Sequence, residues 1–222
     1  MKKTDTARHH FGAFLQSKTY PCVGAKSALA CNNMSFLGVG SMESAADDLE
    51  IHQTVKNFGR SLVNQKGVVQ SLVVFFSDPL DQSERDFEQT LWMRLQCLHN
   101  LDVASGSAWD NTVATDPELA HFSMSVGGEA YFVLGMHPHA SRPARRFEVP
   151  VMVFNPHGQF EKLREDGLFE KMKTTIRKRD EDLTGGLNPM LDDFGQSSEA
   201  CQYSGREVNK EWKCPFEFKG DE

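Results

Sequence analysis

Phe122-Ser123-Met124-Ser125-Val126-Gly127-Gly128-Glu129-Ala130-Tyr131-Phe132-Val133-Leu134 is the stretch on which the fold turns. Two apolar runs flank a pair of glycines. Two adjacent glycines supply the positive φ angles of a two-residue turn, so residues 122–126 and 129–134 read as the arms of a β-hairpin. Upstream, residues 68–76 are a continuous apolar, β-branched run stopped by Ser77-Asp78-Pro79, the pattern of a buried strand. Residues 34–39 and 149–154 read as further strands. Helical patterns lie between them. Residues 7–17 place Phe11, Phe14 and Leu15 on one face. A second helix starts from a cap at Ser41 or Ser44 and runs to about residue 64, with Leu49, Val55, Phe58 and Leu62 inward. Residues 82–100 repeat Phe87, Leu91, Leu95 and Leu98 at three- and four-residue steps. Residues 159–179 carry Phe160, Leu163, Leu168, Phe169, Met172 and Ile176 as one buried stripe. Residues 20–25 read as a turn. A hairpin mixed with crossover helices predicts an α+β fold: one mixed or mostly antiparallel sheet with helices packed on it.

Composition sets the outer bounds. The chain has 222 residues, of which 39% are hydrophobic and 25% charged, with 16 Phe. That is ordinary globular composition and enough apolar mass for one large core. With no linker-like stretch, residues 1–222 read as one domain. Residues 180–222 form an irregular C-terminal extension, docked through Trp212-Lys213-Cys214-Pro215-Phe216. A net charge of −7 argues against nucleic-acid binding, which needs surplus Lys and Arg to neutralise phosphates. No charged start followed by an apolar stretch, and no apolar run near ~20 residues, predicts a cytoplasmic protein outside the membrane. Five cysteines without a CxxC pair predict free thiols rather than a disulfide framework or a structural zinc site. The nicotinamide glycine fingerprint, the phosphate-binding Walker loop, HExxH and GxSxG are all absent.

Two strand ends carry the chemistry. Gly135-Met136-His137-Pro138-His139-Ala140-Ser141-Arg142-Pro143-Ala144-Arg145-Arg146-Phe147 leaves the hairpin with two histidines and three arginines, stiffened by two prolines. Imidazole suits iron, zinc or copper, and guanidinium suits carboxylates. Together they suit an iron porphyrin, with histidine on the metal and arginine on the propionates. The plainer reading is a solvated basic loop. Asn155-Pro156-His157-Gly158-Gln159 ends the next strand and enters a helix. If the two strands are neighbours whose ends share an edge, His157 comes near His137. The plainer reading is helix entry, with Asn155 as cap and Pro156 at the first position, and a His157 in the first turn disinclined to charge. A third region, Ser198-Glu199-Ala200-Cys201-Gln202-Tyr203-Ser204-Gly205-Arg206, is a polar loop with a phenol and a guanidinium.

These segments occur in order with Pro21-Cys22-Val23-Gly24-Ala25, Ile176–Asp180 and Asn188-Pro189-Met190-Leu191. Together they resemble the YqcI/YcgG family over about residues 11–218. That family includes haem-dependent N-hydroxylases, such as the arginine N-hydroxylase of the D-cycloserine pathway and the guanidine N-hydroxylase of the guanitoxin pathway. The resemblance implies haem b and dioxygen or peroxide as oxidant, with an electron donor where dioxygen is used. It further implies a small guanidino or amino compound as the substrate that is hydroxylated on nitrogen. On this expectation His137 is the proximal ligand, ahead of His139. Arg142, Arg145 and Arg146 include the propionate partners. His157 serves as second-choice ligand or distal residue, and Arg206 meets haem or substrate. Cys22, in its rigid turn, competes as a thiolate ligand. Cys201 stands where the family motif has arginine, which allows a different substrate. Two further readings remain open: a haem-binding or haem-sensing protein without turnover, and a zinc or non-haem iron protein using His137, His139 and His157.

Overall fold

The computed structural model describes residues 2–63, 65–186 and 196–220; the Asn188-Pro189-Met190-Leu191 segment lies outside them. In chain order the helices are α1 (Lys2–Gln16), α2 (Val23–Ala30), α3 (Asp48–Arg60), α4 (Glu84–Ser105), α5 (His157–Glu165) and α6 (Phe169–Thr184). The strands are β1 (Met34–Ser41), β2 (Ser71–Asp78), β3 (Met124–Val126), β4 (Glu129–Met136) and β5 (Val151–Pro156). The strands form one five-stranded sheet in the order β1-β2-β5-β4-β3. The β1–β2 pair is parallel and the other three pairs are antiparallel, so the sheet is mixed and the fold is α+β, as the hairpin pattern predicts.

Strand residues alternate between two faces, and both faces are covered. Leu72, Val74 and Phe76 join Val133, Met152 and Phe154 under α3 and α4, with Phe87, Leu91 and Leu95 from α4. Val73, Phe75, Met136, Val151 and Val153 face the other way, toward Phe11 and Leu15 of α1. This second face is also where α2, α5 and α6 lie, around Ala28, Val69 and Leu163.

The turn at Gly127 and Gly128 is confirmed by φ angles of 68° and 84°. A Cβ on Gly127 would also lie 2.3 Å from Lys56 Cγ, so helix α3 crosses the turn closely. Buried Asp102 of α4 pins it: Oδ2 accepts the Gly127 N–H at 2.6 Å, and Oδ1 meets His52 Nε2 at 2.7 Å.

Three expectations are corrected. Residues 23–30 are a helix rather than part of a turn, because Cys22 acts as its N-cap, Sγ accepting the Ala25 N–H at 3.4 Å. Cysteine is outside the usual set of capping residues, so the helix start is silent in the sequence. Helix α3 begins at Asp48 instead of beside Ser41 or Ser44 and ends at Arg60, which leaves Leu49 56% exposed while Ile51 and His52 face inward. The single helix expected over 159–179 is two. Gly167, at φ 70°, closes α5: its N–H bonds Arg164 O at 3.0 Å, and the Leu168 N–H bonds Leu163 O at 2.9 Å. That bonding pair is the Schellman ending, which a left-handed glycine permits.

Candidate functional site

Between the second sheet face and the helices α1, α2, α5 and α6 lies a cavity of about 310 Å³. That volume falls in the range of small-ligand pockets, ~300–1,000 Å³. Its wall is mainly apolar, with Leu134 and Met136 from β4, Val153 from β5, Phe160 from α5 and Met172 from α6. Few polar groups reach it. His157 stands at the first residue of α5, Cys22 caps α2, and Arg164, Lys173 and Arg177 come from α5 and α6. Glu199 and Gln202 enter from the C-terminal segment.

His157 is 7% exposed. Burial holds its pKa below the ordinary imidazole value, with Glu161, 3.6 Å away, pulling the other way. The ring is therefore a neutral imidazole at physiological pH, the form that ligates metals. Burial likewise pushes the Cys22 thiol up, against the lowering influence of the Ala25 and Gly24 amides, Arg145 and Lys26. A protonated thiol is a poor ligand and a poor nucleophile. Arg164 is paired with Glu161 at 2.5 Å and lies over the Phe169 ring at 4.3 Å; Lys173 meets Glu170 at 2.8 Å.

The two histidine segments do not converge. Strands β4 and β5 are antiparallel, with Met136 opposite Val151 and Tyr131 opposite Pro156. His137 therefore follows one end of the strand pair and His157 follows the other. The register puts seven residue steps between them, roughly 23 Å at ~3.3 Å per residue. Alternation also sends them to different faces. Met136 points to the cavity, so His137 points to α4, where it is 1% exposed and stacks on Phe87 at 4.4 Å. Burial lowers its pKa to about 4, offset in part by Glu84. His137 is thus a neutral core imidazole, and it does not line the cavity. His139 is exposed. The expected His137–His139–His157 grouping is corrected accordingly. Among the described residues, no three His, Cys, Asp or Glu side chains come together as a metal-binding group.

The four arginines expected at propionates or substrate hold protein groups instead, and none lines the cavity. Arg142 pairs with Asp180 of α6. Arg145 donates to Gly135 O at 2.9 Å, Tyr203 O at 3.2 Å and Gln202 O at 3.1 Å. Arg146 closes its own loop on Ala140 O at 2.8 Å and Ser141 O at 3.0 Å. Arg206 Nε donates to Glu88 of α4 at 2.9 Å.

Glu199 is the residue the sequence reading passed over. Its Oε1 accepts from Ser123 Oγ at 2.6 Å and from Tyr203 Oη at 2.7 Å. Burial raises its pKa to about 7, against the lowering influence of Ser123, Tyr203 and Arg164. The four-residue spacing of Glu199 and Tyr203 within one short turn was the available signal.

A family model described as the YqcI/YcgG family matches residues 11–217. The chain belongs to the YqcI/YcgG family. It is 27% identical over 207 residues to the uncharacterized protein YqcI of Bacillus subtilis (strain 168), covering 89% of this chain and 80% of that protein. No solved structure matches it. On this YqcI/YcgG chain the segments that carry the likeness meet one another. The Gly135 N–H donates to Tyr203 O at 2.7 Å, and Arg145 bonds the same carbonyl. Tyr203 is fully buried and stacks on Trp92 at 5.4 Å. The basic loop and the Gln202-Tyr203-Ser204-Gly205-Arg206 segment are thus one staple, which seats the C-terminal segment and presents Glu199 at the cavity.

Proposed function

We propose that this protein is a haem-dependent oxygenase that hydroxylates a nitrogen of a small guanidino or amino compound, with haem b as its cofactor. One observation supports the reading above others: the cavity wall combines apolar side chains, one buried neutral imidazole and a group of basic side chains. The donor set fits a haem on these terms. His157 would hold the iron, in place of His137. The propionates would be met by the basic side chains that line the cavity, Arg164 and Lys173 giving up their Glu161 and Glu170 partners to do so, together with Arg177. Imidazole is preferred over the Cys22 sulfur because the thiol is held protonated. The haem, when bound, supplies the oxidation chemistry.

The chain's own residues supply the rest. Leu134, Met136, Val153, Phe160 and Met172 exclude water. Asn155, where β5 runs into α5, is fixed by Ser71 Oγ, which donates to its Oδ1 at 2.7 Å, and by its own Nδ2, which donates to Phe132 O at 3.2 Å. That bonding holds the segment leading to His157. Oxidant, dioxygen or peroxide, and any electron donor come from outside.

The test is an absorption spectrum of protein produced with haem precursor, followed by incubation with a guanidine and amine panel under oxygen with a reductant, or with peroxide. A Soret band and an oxidant-dependent N-hydroxylated product are expected. Absence of the band would overturn the proposal. A band without product from any member of the panel would leave haem binding or sensing without turnover.

A further inference from the structure

We propose that Glu199 selects the ligand's charge in this cavity: its unoccupied carboxylate oxygen, Oε2, takes the N–H groups of an amidinium, guanidinium or ammonium head. The inference deepens the reading above and rests on the cavity being the ligand site. It does not require the haem.

Glu199 is the one carboxylate among the described residues that line the cavity. Its two oxygens are treated differently. Oε1 receives both protein hydrogen bonds, from Ser123 and Tyr203, while Oε2 receives none among the described residues. Both donors are themselves anchored. Ser123 is fully buried. The Tyr203 phenol accepts the Met124 N–H at 3.1 Å and lies 3.1 Å from Tyr131 O. A phenol has one proton, contested here by the Tyr131 carbonyl and the Glu199 carboxylate; the shorter contact, 2.7 Å, is to the carboxylate. The orientation of Glu199 is therefore fixed by groups that leave one oxygen for a ligand. A half-buried carboxylate with a vacant acceptor in an apolar wall is unfavourable alone and favours a cationic hydrogen-bond donor.

The other titratable groups around the cavity do not cancel this. Arg164 and Lys173 are matched by Glu161 and Glu170. His157 is held neutral, and Cys22 and Tyr203 are held protonated by burial. Arg177 of α6 also lines the cavity. Burial brings the Glu199 carboxyl to about 7, so a bound cation draws the proton off. The sign follows from linkage. Below that pH, binding releases a proton, and affinity for a cation rises with pH by up to about tenfold per unit. Above it, no proton is released and affinity levels off.

Calorimetric titration with n-butylguanidinium and n-butylammonium, against neutral n-butylurea, between about pH 5.5 and 8.5 tests this. The wild type is expected to bind a cation and to prefer it over the urea, with affinity rising to a plateau near pH 7. Glu199→Gln keeps both acceptor contacts at Oε1 but removes the charge. It should lower cation affinity at pH 8 by about 10–100-fold, the worth of a charged hydrogen bond of ~1.5–3 kcal/mol, and flatten the pH profile. Ser123→Ala withdraws one bond from Oε1 and should move the inflection to higher pH. Equal binding by Glu199→Gln, preference for the urea, no cation binding by the wild type, or an unmoved inflection in Ser123→Ala would each overturn the proposal. The Soret band of the same samples keeps the two readings apart. Glu199-dependent cation binding without a Soret band would sink the haem reading alone. A Soret band with indifferent Glu199→Gln would sink this one alone.

Discussion

Arg145→Met is expected to lower the unfolding free energy by about 3 kcal/mol, since hydrogen bonds to a charged group are worth ~1.5–3 kcal/mol each and three are lost. The guanidinium serves three backbone carbonyls at once: Gly135 O on β4, and Gln202 O and Tyr203 O on the C-terminal segment. Its surroundings are dry enough that burial lowers its pKa to about 10. Methionine fills similar space but donates nothing, so three charge-assisted hydrogen bonds are lost together, although Tyr203 O keeps the Gly135 N–H and Gln202 O keeps the Gly205 N–H. Lysine should rescue little, because a single ammonium cannot reproduce the planar fork that reaches all three. Urea unfolding followed by far-ultraviolet circular dichroism measures the loss. A change below about 1 kcal/mol would mean that these carbonyls find water or other donors, and that the segment is not held by this staple.

Gly135→Ala is expected to cost about 3 kcal/mol, the upper part of the ~1–3 kcal/mol usual for overpacking. A Cβ there would lie 2.6 Å from Leu91 Cδ1 and 2.7 Å from Phe87 Cε1. Neither neighbour has room to retreat. Leu91 and Phe87 are fully buried, and Phe87 is backed by the His137 ring at 4.4 Å. Helix α4 would have to lift from the sheet. Gly158→Ala is the matched control: nothing lies within 4 Å of its added Cβ, and alanine suits the first turn of α5. Thermal unfolding of the two variants should therefore diverge. A Gly135→Ala protein as stable as the Gly158→Ala control would show that α4 packs less closely than described.

The fold was legible where local chemistry speaks directly. The glycine pair of the hairpin, the apolar run of β2 and the spacing of Phe87, Leu91, Leu95 and Leu98 each specify one element without reference to the rest of the chain. Elements set by less usual chemistry were hidden. Helix α2 is capped by a sulfur, and the break between α5 and α6 depends on one glycine inside an unbroken apolar stripe. The site was half legible. The motif segments are brought together, but through backbone carbonyls that no side-chain pattern announces. The histidine error has a definite cause. Projecting His137 and His157 from one edge assumed that both strands end at the same side of the sheet. The antiparallel pairing of β4 and β5 places them at opposite ends, and the two-residue period of β4 turns His137 to α4. Glu199 escaped notice because its importance comes from Ser123, 76 residues away, and from a cavity that only the packed helices enclose.

If the chemistry belongs to the cavity side of the sheet, His157 rather than His137 is the ligand-bearing residue. Haem titration into the wild type, His157→Ala, His137→Phe and Cys22→Ser, read by the Soret band and the ferrous–CO spectrum, tests it most directly. The account predicts that the wild type, His137→Phe and Cys22→Ser form the same imidazole-type complex, and that His157→Ala fails to take up haem stably. Stable uptake by His157→Ala together with loss in His137→Phe, or a strongly red-shifted CO band abolished by Cys22→Ser, would contradict it.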